Sequence, residues 1–245
     1  MAYTTIDDPS AYFQTALYTG NGGTQSITNN GNSDLQPDWI WIKSRNEAEH
    51  HNLVDSVRGN TKVVYSSLTG VEDTTSIQVT SFASDGFALG SGTNTNKNTI
   101  TYAAWQWKAG TSFSNDASST SVGSIDSAGS VSTAAGFSII SYTGTGANAT
   151  IAHGLGVAPS MIITKSRGTT NNWGVYHQSL GNTDALFLNL TAATDAASTY
   201  WNNTSPTSSV FSVGSAAGTN PSATMIAYCF AEKKGYSKFG SYTGN

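Results

Sequence analysis

The chain has 245 residues, of which only 11% are charged, and a formal net charge of −4. That balance argues against a nucleic-acid binder, whose affinity would rest on a basic surface. Six Trp, eleven Tyr and nine Phe supply a core that a disordered chain lacks.

The segment Met1 to Ser10 carries Asp7 and Asp8, with neither a basic stretch nor an apolar run, so it does not read as a secretory signal. No stretch approaches the roughly 20 apolar residues of a membrane helix, and a soluble chain without membrane insertion is expected. Residues 1–17 read as an N-terminal arm, with Pro9 in a turn ahead of Tyr12, Phe13 and Leu17. Tyr18-Thr19-Gly20-Asn21-Gly22 then opens a first β module over 18–110. Asn29 to Asn32 is a turn signal. In Trp39-Ile40-Trp41-Ile42-Lys43, Trp39, Trp41 and Lys43 fall on one face and Ile40 and Ile42 on the other, the period of a strand that Pro37 starts. Lys62 to Tyr65 and Ile77 to Phe82 read as further strands. Asp85-Gly86 marks a hairpin into Phe87, and Ile100 to Lys108 closes the module with Tyr102, Trp105 and Trp107.

Residues 111–136, rich in Ser, Ala, Gly and Thr, read as a partly ordered connection in which Val122, Ile125 and Val131 leave room for short strands. Phe137 to Tyr142 is a strand, and the second module, 137–245, repeats the order of the first. Tyr142-Thr143-Gly144-Thr145-Gly146 answers the opening motif. Pro159 to Arg167 answers Pro37 to Arg45 position for position, Gly181 answers Gly59, and Ala227-Tyr228-Cys229-Phe230 answers Ala104-Trp105-Gln106-Trp107. Helical periodicity is nowhere sustained. The pattern predicts an all-β chain of two tandem antiparallel β-sandwich modules, jelly-roll or lectin-like. A single large sandwich with pseudo-symmetric halves is the competing architecture.

Chemistry is sparse. Cys229 is the only cysteine, so no intrachain disulfide or Cys-based metal cluster can form, and its apolar run marks it as packing. His50-His51 lies beside Glu47 and Glu49, but the ligand types are bunched in one polar loop rather than rigidly spaced, so a solvated loop is expected. Glu72-Asp73 is too small a set for calcium. Asp55 and His177 align between the modules while Asp85 has no counterpart, which is not the pattern of a catalytic pair. No nucleophile elbow, P-loop or zincin motif occurs. His153-Gly154-Leu155-Gly156 precedes a strand and reads as a turn. No catalytic residue, metal site or cofactor is therefore expected. Of the tryptophans, Trp173 and Trp201 have Asn- and Thr-rich neighbours (Thr170, Asn171, Asn172; Asn202, Asn203) and are the candidates for exposed, ligand-stacking rings.

Leu17 to Gly22, Gln36 to Arg45 and Asp55-Ser56-Val57-Arg58-Gly59, with their counterparts in the second half, resemble a family of repeated domains in virion and tail-fibre proteins of marine bacteriophages. The closing Lys238 to Asn245 is similar to the start of a further module. The resemblance implies a non-enzymatic virion protein, a tail-fibre, appendage or head-decoration component assembled in the bacterial cytoplasm. It would be a homo-oligomer, a trimer if a fibre, contacting other virion proteins and a host-surface glycan. A carbohydrate-binding module is the alternative, and a polysaccharide depolymerase a third reading.

Overall fold

The structure, a computed structural model, describes residues 4–244. Its regular structure is almost wholly antiparallel strand, and its helices are single turns. It divides into two units, Asp7–Gly110 and one formed mainly by Thr111–Asn245.

The first unit contains β1 (Phe13–Thr19), β2 (Gln25–Ile27), β3 (Trp39–Ser44), β4 (Asn52–Asp55), β5 (Lys62–Tyr65), β6 (Asp73–Thr74), β7 (Val79–Ala83), β8 (Gly86–Leu89), α1 (Thr93–Asn96) and β9 (Thr101–Trp107). One sheet has the order β1-β9-β3-β4-β5-β6 and a smaller one the order β2-β8-β7. Ile40, Ile42, Val54, Val63 and Tyr102 from the large sheet meet Ile27, Val79, Phe87 and Leu89 from the small one in a buried core. The alternation read in the sequence therefore places Ile40 and Ile42 inward and Trp39 and Trp41 on the other face of the same sheet. The expected hairpin at Asp85-Gly86 joins β7 to β8, with Gly86 at φ 102°. A side chain there would also run into the Ile27 carbonyl.

The second unit contains β10 (Thr111–Asn115), α2 (Ala117–Thr120), β11 (Ser127–Ser132), β12 (Phe137–Thr143), β13 (Ala149–Ala152), β14 (Met161–Ser166), β15 (Gly174–His177), β16 (Gly181–Phe187), β17 (Asp195–Ala196), α3 (Ser198–Trp201), β18 (Val210–Val213) and β19 (Thr224–Phe230). The main sheet has the order β10-β11-β12-β19-β14-β15-β16-β17, and β13 pairs with β18. Ile140, Tyr142, Ile162 and Met225 from the main sheet pack on Ile151, Phe211 and Val213 from the pair. Each unit is thus β-sandwich-like, with its own core.

Two boundaries differ from the sequence reading. The expected arm, 1–17, ends inside β1: Phe13 to Leu17 are already laddered to β9, because their alternation buries Gln14 and Ala16 while leaving Thr15 and Leu17 outside. The expected connection, 111–136, instead forms β10 and β11, hydrogen-bonded onto β12. Small residues permit this. At Gly129 a Cβ would fall against the Ile139 carbonyl oxygen, so the close approach of β11 to β12 requires glycine.

The opening motif is held in the same way in both units. Asn96 donates from Nδ2 to the Gly90 and Gly23 carbonyls at 2.9 and 2.7 Å and accepts at Oδ1 from the Asn21 amide at 2.9 Å. In the second unit Asn220 donates to the Gly214 carbonyl at 2.9 Å and to the Ala147 carbonyl, and accepts from the Thr145 amide at 2.8 Å. The Tyr18 hydroxyl donates to the Thr95 carbonyl and the Tyr142 hydroxyl to that of Thr219. Both asparagines are fully buried. The glycines of the motif divide the work. Gly22 and Gly146 have positive φ, 73° and 72°, whereas at Gly20 and Gly144 a Cβ would strike the Lys97 and Pro221 carbonyls.

Candidate functional site

The two tryptophans expected at the surface are inside. Trp173 is 0% and Trp201 1% exposed, so neither ring can stack on a ligand without unfolding. The polar groups around them are taken up in bonds and turns within the fold instead of framing an exposed ring. Asn189, bonded to Asn172, accepts the Trp173 amide at 2.9 Å. Asn202 and Asn203 take left-handed conformations, φ 51° and 46°, that end α3 and let Trp201 turn inward. Trp201 then meets Tyr176 edge-on, with ring centroids 5.7 Å apart. Trp39 is also buried, while Trp41, Trp105 and Trp107 are half-buried on the same face of the first sheet.

The loop with His50 and His51 does not converge on a metal. Glu47 is paired with Lys97 at 2.7 Å, His50 faces the Ser67 hydroxyl at 3.0 Å, and His51 accepts at Nδ1 from the Trp41 indole at 2.8 Å. Burial, with Lys43 and His50 nearby, holds His51 below its ordinary range. Among the described residues no group of three or more His, Cys, Asp or Glu side chains is set to hold a metal ion. Asp55 is bonded to Arg58 at 2.6 Å with both side chains buried, and Arg58 reaches Glu72 at 3.2 Å and the Leu53 carbonyl at 3.0 Å. Such a buried, hydrogen-bonded ion pair fixes a turn. His177 accepts the Ser179 amide at 3.2 Å and so holds a local turn, while Asp85 accepts the amide of the distant Leu35 at 3.2 Å and so ties the β7–β8 hairpin to an earlier loop. Gly154 and Gly156 both have φ 72°, in keeping with a turn at His153 to Gly156. Cys229 is fully buried, and burial raises its thiol to about 12. Burial likewise lowers the Lys165 ammonium to about 8, where it donates to the Asn171 carbonyl at 3.0 Å.

What the second unit does present is an open polar groove of about 320 Å³ bordered by Ser114, Asp116, Asp126, Ala128, Ser141 and Thr143. Its floor follows from the small residues Ala128 and Ser141, paired across β11 and β12. Asp116 caps α2. Bonds from the Ser118 hydroxyl, then from Ser119, hold its carboxyl below the ordinary range. Asp126 accepts the Ala117 amide at 2.9 Å, and Arg167 reaches the Ser141 hydroxyl at 3.5 Å. Carboxylates and hydroxyls around a shallow floor suit a hydroxylated ligand, held by hydrogen bonds rather than by stacking. The groove was hidden from sequence reading because most of it lies in the stretch read as a connection. The only signal was the pair Asp116 and Asp126 within that otherwise uncharged run.

Residues 8–245 match the family described as Domain of unknown function (DUF7483). The chain belongs to this family. No curated protein and no solved structure matches it at a significant level. No helix among the described residues is long and apolar enough to cross a membrane.

Proposed function

We propose that this DUF7483 chain is a non-enzymatic structural protein of a bacteriophage virion, a tail-fibre, appendage or head-decoration component built from two tandem copies of one β-sandwich module of jelly-roll or lectin-like type. The observation that carries the modular reading is the asparagine latch: Asn96 and Asn220 clamp the two Tyr-Thr-Gly motifs through the same donors and acceptors. The strand orders support it, since β12-β19-β14-β15-β16-β17 follows the connectivity of β1-β9-β3-β4-β5-β6. Modules of this kind suit arrays, where each copy brings its own core. The acidic side chains also favour a scaffold, because Asp8, Asp38, Asp55, Asp85 and Asp116 are all engaged in tying loops or turns. The marine-phage resemblance supplies the setting.

The expected assembly is a homo-oligomer, a trimer if the protein forms a fibre, displayed on the virion with a host-surface glycan as its target. Antibody labelling of purified particles tests the reading. Label on tail or head is the expected result, and absence from particles would overturn it.

A second reading, a carbohydrate-binding module, is favoured by the groove at Asp116 and Asp126 rather than by the buried tryptophans. Glycan-array binding that is lost in Asp126→Ala, with an unchanged melting temperature, would support it. A depolymerase would have to release reducing ends from host envelope polysaccharide, and none are expected.

A further inference from the structure

We propose that the outer edge of β1 is a self-recognition surface, pairing antiparallel with β1 of a second copy of this chain about Thr15. Gly20 donates to the Ile100 carbonyl at 2.8 Å and Lys108 to the Tyr12 carbonyl at 3.0 Å. These bonds set the alternation of the β1–β9 ladder, so the even positions of β1 face β9 and the amides and carbonyls of Phe13, Thr15 and Leu17 face away. β1 is the terminal strand of its sheet. Among the described residues the only bond on that side is from the Gln25 side chain to the Thr19 carbonyl, at 3.1 Å.

The corresponding edge of β12 is covered. There Phe137, Ile139 and Ser141 stand opposite Ser132, Ser130 and Ala128 of the antiparallel strand β11. The fold therefore accepts an antiparallel strand at this position in one unit, and among the described residues leaves the position open in the other.

The composition of β1 points the same way. Edge strands are normally blunted by charges, proline or a bulge. β1 reads Phe-Gln-Thr-Ala-Leu-Tyr-Thr, with no charge and no proline, and its register with β9 is unbroken from Phe13 to Thr19. Leu17 is 64% exposed on this edge.

A second copy fits these features because the strand is self-complementary about Thr15. With Thr15 opposite its twofold mate, each Phe13 falls opposite the other chain's Leu17 on the outer face, and each Gln14 opposite Ala16 on the inner face. Phe13 already packs on Trp107, with ring centroids 5.0 Å apart, so the paired Leu17 would extend an apolar row and lose its exposure. A twofold contact uses the same patch on both chains. It goes beyond the virion reading and is separable from it, since particle labelling does not depend on this edge.

Sedimentation velocity and hydrogen exchange of the full chain over a concentration range test the proposal. Reversible dimers are expected, with the amides of Thr15 and Leu17 exchanging more slowly as concentration rises. Leu17→Lys should weaken association by about tenfold or more by placing a charge in the apolar row. Leu17→Pro should abolish it while keeping the melting temperature within a few degrees, because the amide it removes lies outside the β1–β9 ladder. A chain that stays monomeric, or an oligomer of any size that neither variant affects, overturns the proposal. So does protection of the Thr15 and Leu17 amides by an added peptide with the sequence of residues 127–132 when the chain alone does not self-associate.

Discussion

Asn96 and Asn220 each join a loop to a turn far away in sequence, and their amides have the right chemistry because one planar group both donates and accepts. A hydrophobic residue of similar size would leave backbone carbonyls and an amide buried without partners. Asn220→Ala is expected to destabilise the second unit by about 1–3 kcal/mol, and Tyr142→Phe by about 1 kcal/mol, as measured by urea denaturation. Asn220→Asp should not rescue, since a carboxylate cannot donate to the Ala147 and Gly214 carbonyls.

Two histidines connect single residues to pH. His153 is held below its ordinary range by burial, and accepts the Leu155 amide at Nδ1 at 3.2 Å while Nε2 faces the Thr207 carbonyl at 3.2 Å. His51 accepts from Trp41 in the same manner. Protonation at Nδ1 removes that acceptor. Below about pH 6.5 the unfolded chain therefore binds more protons than the folded one, and stability falls as pH drops through that value. Melting temperatures are expected to be flat above neutrality and to decline toward about pH 5, less steeply in a His153→Gln variant. An unchanged slope in that variant would exclude His153 as the cause.

Among the elements, the pairing of β11 with β12 depends on one glycine. Gly129→Val would push a branched side chain against the Ile139 carbonyl, at an expected cost of about 1–3 kcal/mol, and loosen β11. Hydrogen exchange should then speed up at Ile139 and Ser141, whose backbones face β11. The alternating strands were legible in the sequence, since Ile40 and Ile42 against Trp39 and Trp41 is a local pattern that burial of one face enforces. β11 was not. Ser-Ala-Gly-Ser-Val-Ser has little strand propensity, and it is ordered because β12 supplies a template on one side and β10 on the other.

For the whole molecule, each unit encloses its own core between a large and a small sheet. A segment of about one hundred residues with such a core lies within the ordinary size range of an autonomous domain. Asp7–Gly110 expressed alone is expected to give dispersed amide spectra and a single cooperative thermal transition, and a molten spectrum would refute its independence. On this scale the candidate site divides between what could be read and what could not. The scarcity of catalytic motifs was visible along the chain, but the groove was not. Its floor, Ala128 beside Ser141, and its carboxylates Asp116 and Asp126 come together only when β10, β11 and β12 are laid side by side.

The sequence alone determined the all-β class and the burial of Cys229, because each rests on local periodicity, turn chemistry or the apolar character of a short run. Tertiary structure decided the rest. Trp173 and Trp201 sit among polar residues in sequence, but a distant Asn189 that accepts the Trp173 amide and a left-handed turn after Trp201 leave both rings in the interior. Asn96 and Asn220 read as ordinary loop residues until the chain brings Asn21 and Thr145, each 75 positions away, against them. Bonds across such separations belong to the tertiary structure, and no local pattern can announce them.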